Sequence, residues 1–259
     1  RTPATNKNVA IIGAGPAGLA CAHNLAREGH NIAIYEAKEK AGGLNEYGIA
    51  AYKVANNFAQ REVDYILSIG GIEIKYNHAL GTDINLDELR ENYDAVFLSM
   101  GLSAVNSLRL DNENIDGVIN AVDFIENIRQ ASDLTSLPIG RRVIVIGGGN
   151  TAIDIAVQTK RLGAEDVTLV YRRGKDDMTA TWHEQDFAKL NGVTVKYWSK
   201  PVRINENNGH IASIDFEKTS LDSQGKLVGT GQKYNLRADM IFKAIGQKYD
   251  NTPVEESRE

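Results

Sequence analysis

Cysteine is nearly absent, for Cys21 is the only one in 259 residues. An internal disulfide is excluded, and so is any site built from several thiolates of these residues. One thiol fits a reducing compartment, so a cytoplasmic location is expected. Basic charge is not in surplus: 29 Lys and Arg stand against 34 Asp and Glu, for a net charge of -5. That balance gives no footprint for nucleic acid. No apolar run approaches the roughly 20 residues that a membrane-crossing helix needs, and no secretory core of apolar residues is found. The five histidines, His23, His30, His78, His183 and His210, lack metal-ligand spacing with one another or with the cysteine. No G-x-S-x-G elbow surrounds Ser68, Ser99 or Ser103.

What remains is a composition of 42% hydrophobic and 24% charged residues with 24 glycines, the balance of a globular α/β protein long enough for about two domains. The chain is organised around residues 9–18, VAIIGAGPAG. An apolar, β-branched run stops in a glycine turn, and an alanine-rich helical pattern follows. A helix N-terminus carries about half a positive charge and unpaired N–H groups, which suit a phosphate. Gly13 permits the turn, Gly15 admits a pyrophosphate close to the backbone, and Gly18 lets the helix pack on the strand. Pro16 and Ala17 open the helix. The second strand, residues 31–35, ends in Glu36 and Ala37; an acid at that place accepts ribose hydroxyls. Gly42 and Gly43, before Leu44, offer a second crowding of backbone N–H groups. Tyr47, Gly48 and Lys53 lie in a turn with two aromatics and a cation that could border a flat ring. A helix is expected over 55–69 and a capped one over 86–91. A buried strand over 94–101 should bring Ser99, Met100 and Gly101 to the carboxyl edge of the sheet, where ligands lie in doubly wound folds.

The opening design returns about 134 residues later. Residues 141–152, RRVIVIGGGNTA, again read as strand, glycine turn and helix, with Gly147, Gly149, Asn150 and Thr151 in the turn and Ala152 in place of the third glycine. Its second strand, 166–171, ends in Arg172 and Arg173 rather than in an acid. Guanidinium groups can grip a 2′-phosphate that an acid would repel, which favours NADPH over NADH. Residues 199–237 read as a β-meander, and an apolar strand ending at Ala244 and Gly246 follows. Domain boundaries are therefore placed at 1–138, 139–246 and a tail from 247 to 259. Cys21, Trp182 and Trp198 are expected to pack; Asp176, Asp177, His183 and Glu184 are expected to be solvated surface.

Two nucleotide folds in series, with residues 42–53 (GGLNEYGIAAYK), 147–154 (GGGNTAID), 170–173 (VYRR) and 242–247 (FKAIGQ), resemble the FAD/NAD(P)H reductases with two dinucleotide-binding domains. The nearest branch includes the glutamate synthase small subunit and the NAD(P)H/FAD part of dihydropyrimidine dehydrogenase, with the latter the closer fit. The resemblance implies two Rossmann-like three-layer domains. It implies FAD on Gly13, Gly15, Ala17, Glu36, Gly43 and Leu44, with its ring system near Tyr47–Lys53, and NAD(P)H on Gly149, Asn150, Thr151, Arg172 and Arg173. Hydride would pass from nicotinamide to flavin, with no side chain needed as acid or base. Electrons would continue to an iron–sulfur domain or subunit, and in the dihydropyrimidine dehydrogenase case to a pyrimidine. The cysteine-rich domain and a final Gly-Asp segment of that branch are not among these residues, so a fragment of a longer protein is expected. A glutamate-synthase-like electron-transfer module and a nucleotide-binding module without turnover are the alternatives.

Overall fold

A computed structural model describes residues 2–256; Arg1 and the last part of the expected tail, residues 257–259, lie outside the described residues. The chain divides into two compact units, one of residues up to Ala104 together with the segment from Gln247 onward, the other Val105–Gly246.

In the first unit the order is β1 (Asn8–Ile12), α1 (Pro16–Arg27), β2 (Asn31–Glu36), α2 (Leu44–Tyr47), α3 (Phe58–Leu67), β3 (Ile72–Tyr76), α4 (Leu86–Asn92) and β4 (Ala95–Leu98). The four strands form one parallel sheet in the order β3-β2-β1-β4. Alternation along β1 and β2 divides the core. Val9, Ile11, Ile32 and Ile34 pack under Leu19, Ala22 and Ala26 of α1 and Val63 of α3. Ala10, Ile12, Ala33 and Tyr35 face the other way, onto Leu80, Leu86 and Leu89. Each fully buried Ile or Leu contributes about 1.5–3 kcal/mol. Cys21 packs half-buried beside the first cluster, and burial raises its thiol pKa, so it is a poor nucleophile. Asn85 caps α4 as its sequence position suggests, accepting the N–H of Asp87 at 2.8 Å and that of Glu88 at 3.4 Å. The strand β4 departs from expectation. It is an edge strand with one neighbour, and Phe97 and Leu98 are each 40% exposed.

Short strands β5 (Ala104–Val105) and, later, β14 (Gln247–Lys248) pair as a ribbon where the chain crosses between units. The second unit runs β6 (Val118–Asn120), α5 (Ala121–Gln130), β7 (Arg142–Gly147), α6 (Asn150–Arg161), β8 (Asp166–Val170), α7 (Trp182–Leu190), β9 (Thr194–Lys196), β10 (Ser199–Asn207), β11 (His210–Leu221), β12 (Leu227–Arg237) and β13 (Met240–Ala244). Its parallel sheet has the order β6-β13-β7-β8-β9, and β10-β11-β12 is the antiparallel meander. Ile204, Ile214 and Phe216 of the meander cover Ile144, Ile146 and Ile241 of the sheet. Helices cover the other face, where the rings of Phe124 in α5 and Phe242 in β13 lie 5.0 Å apart. This unit is three-layered, as the resemblance implies.

The expected boundary at 138/139 is displaced. β6 pairs with β13 in register Ile241↔Val118, and Phe124 and Ile125 of α5 are at most 2% exposed, so residues 105–138 belong to the second unit. The expected tail is displaced too. Gln247 Nε2 donates to the Leu102 carbonyl at 2.9 Å, and Val254, in the last helix α8 (Thr252–Glu256), packs on the Leu80 cluster of the first unit.

Candidate functional site

In the first unit, three loops gather at the carboxyl edge of the sheet. The Gly13 N–H donates to the Tyr35 carbonyl at 2.8 Å, and Gly13 has φ +100°, open to glycine alone at little strain. A Cβ there would lie 2.6 Å from the Ser99 carbonyl oxygen. At Gly18 a Cβ would lie 2.0 Å from the Gly13 oxygen, so the third glycine is required by helix-on-turn packing. Gly15 differs: a Cβ would meet only the Gly43 Cα at 3.8 Å, an ordinary contact. The protein leaves room above Gly15. Gly15 is the N-cap of α1, no side chain caps this helix, and no acid stands in its first turn. Pro16 and Ala17 are exposed there. By contrast, α4 and α7 are closed by Asn85 and Thr181.

The second glycine loop lies against the first. Gly42 donates to the Ala14 carbonyl at 2.8 Å, and Gly43 approaches Gly15 so closely that a Cβ on it would lie 2.7 Å from the Gly15 Cα. Glu36 is 8% exposed and holds the turn together: one oxygen accepts the Ala14 N–H at 2.7 Å, the other the Lys38 N–H at 2.9 Å. Each carboxylate oxygen keeps further acceptor capacity for a hydroxyl. Ala37 is exposed beside it and Leu44 is 53% exposed. Gly48 closes α2, with the Leu44 side chain filling the place of its missing Cβ. Tyr47 does not offer the open ring expected of it. It is 8% exposed, its hydroxyl accepts the Lys40 N–H at 3.0 Å, and the Lys38 ammonium sits 4.3 Å from its ring centroid. Lys53 is exposed, its ammonium 5.9 Å from the Tyr52 ring. Met100 packs half-buried, and Gly101 follows at φ +73° with nothing near it. Sequence reasoning missed the role of Ser99, whose hydroxyl donates to the carbonyls of Ile12 at 2.8 Å and Gly13 at 3.0 Å. It locks β4 to the turn.

The second unit repeats the construction with different fastenings. A Cβ on Gly147 would collide with the Ala244 carbonyl of β13, and one on Gly148 would lie 2.4 Å from the Tyr171 ring. Gly149 caps α6 without a side-chain cap and without an acid in the first turn; Asn150 and Thr151 begin the helix and Ala152 is fully buried. Gly246 sits past β13 at φ +92°. Arg172 and Arg173 stand past the end of β8, and among the described residues no ion pair or side-chain hydrogen bond engages either guanidinium. Their backbone carbonyls are held instead, by Thr219 Oγ1 at 2.7 Å and by the Trp198 N–H at 3.0 Å. A loop unnoticed in the sequence covers this turn. The Ala180 N–H donates to the Gly148 carbonyl at 3.0 Å, and the Tyr171 hydroxyl donates to the Asp177 carbonyl at 2.8 Å. Asp177 is exposed yet engaged, accepting the Gly174 N–H at 3.0 Å. Trp198 packs against Gly174, as expected. Trp182 does not pack: it is 63% exposed. Among the described residues no helix is long and apolar enough to cross a membrane, and no group of three or more His, Cys, Asp or Glu could hold a metal ion.

Two α/β units, each presenting an uncapped helix N-terminus behind a glycine turn at the carboxyl edge of a parallel sheet, define a class of Rossmann-like dinucleotide-fold proteins. The chain belongs to the pyridine nucleotide-disulphide oxidoreductase family, which it matches over residues 7–257. It is 36% identical over 260 residues to the NADPH-Fe(3+) oxidoreductase subunit beta of Geobacter sulfurreducens, covering 96% of this chain and 38% of that one. It is also 36% identical over 262 residues to the glutamate synthase [NADPH] small chain of Escherichia coli K12, covering 95% and 55% respectively. The chain thus spans about two-fifths to a half of the length of these relatives. Among solved structures, FprA from Mycobacterium tuberculosis shares the fold with a TM-score of 0.79 at 20% identity, covering 93% of this chain and 71% of that one. The glutamate synthase match supports the branch expected from the motifs. With one cysteine, these 259 residues hold no dithiol pair of the kind the family name suggests.

Proposed function

We propose that this chain is the nucleotide-binding part of an NAD(P)H-oxidising flavoprotein. The first unit holds FAD: pyrophosphate over Gly13, Gly15, Pro16, Ala17 and Gly18, adenosine ribose at Glu36 and Ala37, and further phosphate and ring contacts from Gly42, Gly43, Leu44, Gly48, Lys53, Met100 and Gly101, with the buried Tyr47 supporting that loop. The second unit holds NAD(P)H: pyrophosphate over Gly147, Gly149, Asn150, Thr151 and Ala152, a 2′-phosphate at Arg172 and Arg173, and the nicotinamide end toward Ala244 and Gly246. The observation that carries the reading is the room above Gly15 beside an uncapped helix end; at Gly149 the uncapped helix end recurs, although the Thr179 hydroxyl stands 3.2 Å from where a Cβ would lie. The first N–H groups of a helix have no intrahelical partner, and a diphosphate can accept from them. When bound, FAD supplies the exchange between hydride transfer and single-electron transfer. The residues of the chain bind and orient; Ser99 and Glu36 hold the turn in shape.

The electron acceptor in this proposal is an iron–sulfur domain or subunit outside these residues, and the protein acts in the cytoplasm. The names of the relatives, a subunit of an NADPH-Fe(3+) oxidoreductase and a small chain of a glutamate synthase, support delivery of electrons from NADPH within a larger assembly; the iron–sulfur centre and the cytoplasm are what the sequence resemblance and the single thiol imply. A pyrimidine as terminal acceptor is the narrower expectation of the sequence resemblance. Neither relative carries a pyrimidine in its name, so the proposal stops at the iron–sulfur acceptor. Visible absorbance of the purified chain tests it: flavin bands that bleach on anaerobic addition of NADPH or NADH are expected. A chain that stays colourless after reconstitution with FAD, yet binds nicotinamide nucleotide, supports the module without turnover instead.

A further inference from the structure

The exposed Trp182 is the first residue of α7. Single exposed hydrophobic residues are ordinary on protein surfaces, so its placement carries the argument. Gln185, 4% exposed, donates Nε2 to the Ala180 carbonyl at 3.0 Å and to the Lys175 carbonyl at 3.4 Å. One buried nitrogen thereby draws together the start and the end of loop 174–181. The Ala180 bond to Gly148 ties that closed loop onto the glycine turn, and Thr181 Oγ1 accepts the Glu184 N–H at 3.4 Å, which fixes the start of α7. In the chain Arg172 and Arg173 stand at the entry of the loop and Trp182 at its exit, two residues past the Ala180 bond that holds the loop on the glycine turn. The His183 ring stacks on the indole, centroids 3.4 Å apart at 25°, and backs one side of it.

We propose that Trp182 is the platform on which the adenine of NAD(P)H stacks in the second unit. This rests on the reading of that unit as the NAD(P)H site and adds a residue to it. The choice of adenine over nicotinamide follows from charge. The two guanidinium groups suit the phosphate on the adenosine ribose, and adenine is the base on that ribose. An indole offers a large, rigid π-face with little rotamer freedom to lose, and base–aromatic stacking tolerates any base. Both NADPH and NADH carry adenine, so Trp182 serves them equally, unlike the arginines.

Equilibrium binding of 2′,5′-ADP, which carries adenosine without nicotinamide, and of nicotinamide mononucleotide tests this on the whole chain. Trp182→Ala is expected to raise the Kd of 2′,5′-ADP by about fivefold or more, in the range of a lost base–aromatic stack. Trp182→Phe is expected to stay within about twofold of wild type, because a phenyl ring still stacks. The Kd values for NADPH and NADH should rise by the same factor in Trp182→Ala. The emission difference between wild type and Trp182→Phe isolates the Trp182 signal, and 2′,5′-ADP should quench it while nicotinamide mononucleotide does not. An unchanged Kd for 2′,5′-ADP in Trp182→Ala, or quenching by the mononucleotide alone, overturns the platform and leaves the NAD(P)H reading standing. A wild-type chain that binds neither fragment nor NADPH overturns both.

Discussion

At the residue scale, two glycines of one motif have different reasons to be glycine. Gly18 is packed against the Gly13 carbonyl, whereas Gly15 faces open space apart from Gly43. Gly18→Ala is therefore expected to destabilise the fold by about 1–3 kcal/mol, as overpacking does, read by denaturant unfolding. Gly15→Ala should cost less than about 1 kcal/mol, an N-cap preference, yet lower the flavin retained through purification. Equal loss of stability in both variants would remove the distinction. Arg172 and Arg173 allow a second test. Replacing both by Ala should weaken NADPH binding by about tenfold or more, for a charge-assisted contact of roughly 1.5–3 kcal/mol, and NADH binding much less; equal loss for both cofactors refutes the 2′-phosphate role. These glycines and arginines were legible because their spacing is fixed by local backbone geometry. The role of Ser99 was not, since its partners are set by a chain crossing: it reaches the turn 86 and 87 residues upstream.

At the scale of elements, the strands and helices follow their patterns closely. The capped helix near 86–91 and the meander fall where the capping residue and turn residues place them, because alternation and capping are local signals. The helix expected over 55–69 is shorter, Phe58–Leu67. Asn56 and Asn57 before it have positive φ, a break that amphipathic spacing does not register. Strand pairing adds an electrostatic joint. Asp239, next to β13, accepts the Arg142 N–H at 2.9 Å and its guanidinium Nε at 3.2 Å, and the Arg142 side chain holds the Asp239 carboxyl below the usual carboxylate range. A carboxyl whose pKa is depressed on folding stabilises above its unfolded value and loses that stabilisation as pH falls through the folded one. The unfolding free energy of the wild type should thus decline below about pH 4 more steeply than that of Asp239→Asn. Both side chains are partly exposed, so the contribution at neutral pH is about 1 kcal/mol. Parallel pH profiles for the two proteins would contradict this.

At the scale of the molecule, the first unit is discontinuous in sequence and the second continuous. A fragment of residues 105–246 is expected to unfold cooperatively on its own, followed by circular dichroism. A fragment of residues 139–246 should not, since it loses β6 and the buried Phe124 and Ile125 of α5, each costing about 2–5 kcal/mol. Comparable cooperativity in both fragments would restore the boundary at 138/139. The sequence by itself determined the two strand–turn–helix beginnings and the arginine pair that ends the second strand of the second unit, because each depends on backbone conformation and charge within a few residues. Only the tertiary structure decided that residues 105–138 complete the second sheet, that the segment from Gln247 returns to the first unit, and that Trp182 stays uncovered. Those outcomes depend on which distant surfaces bury one another, and no local pattern encodes that.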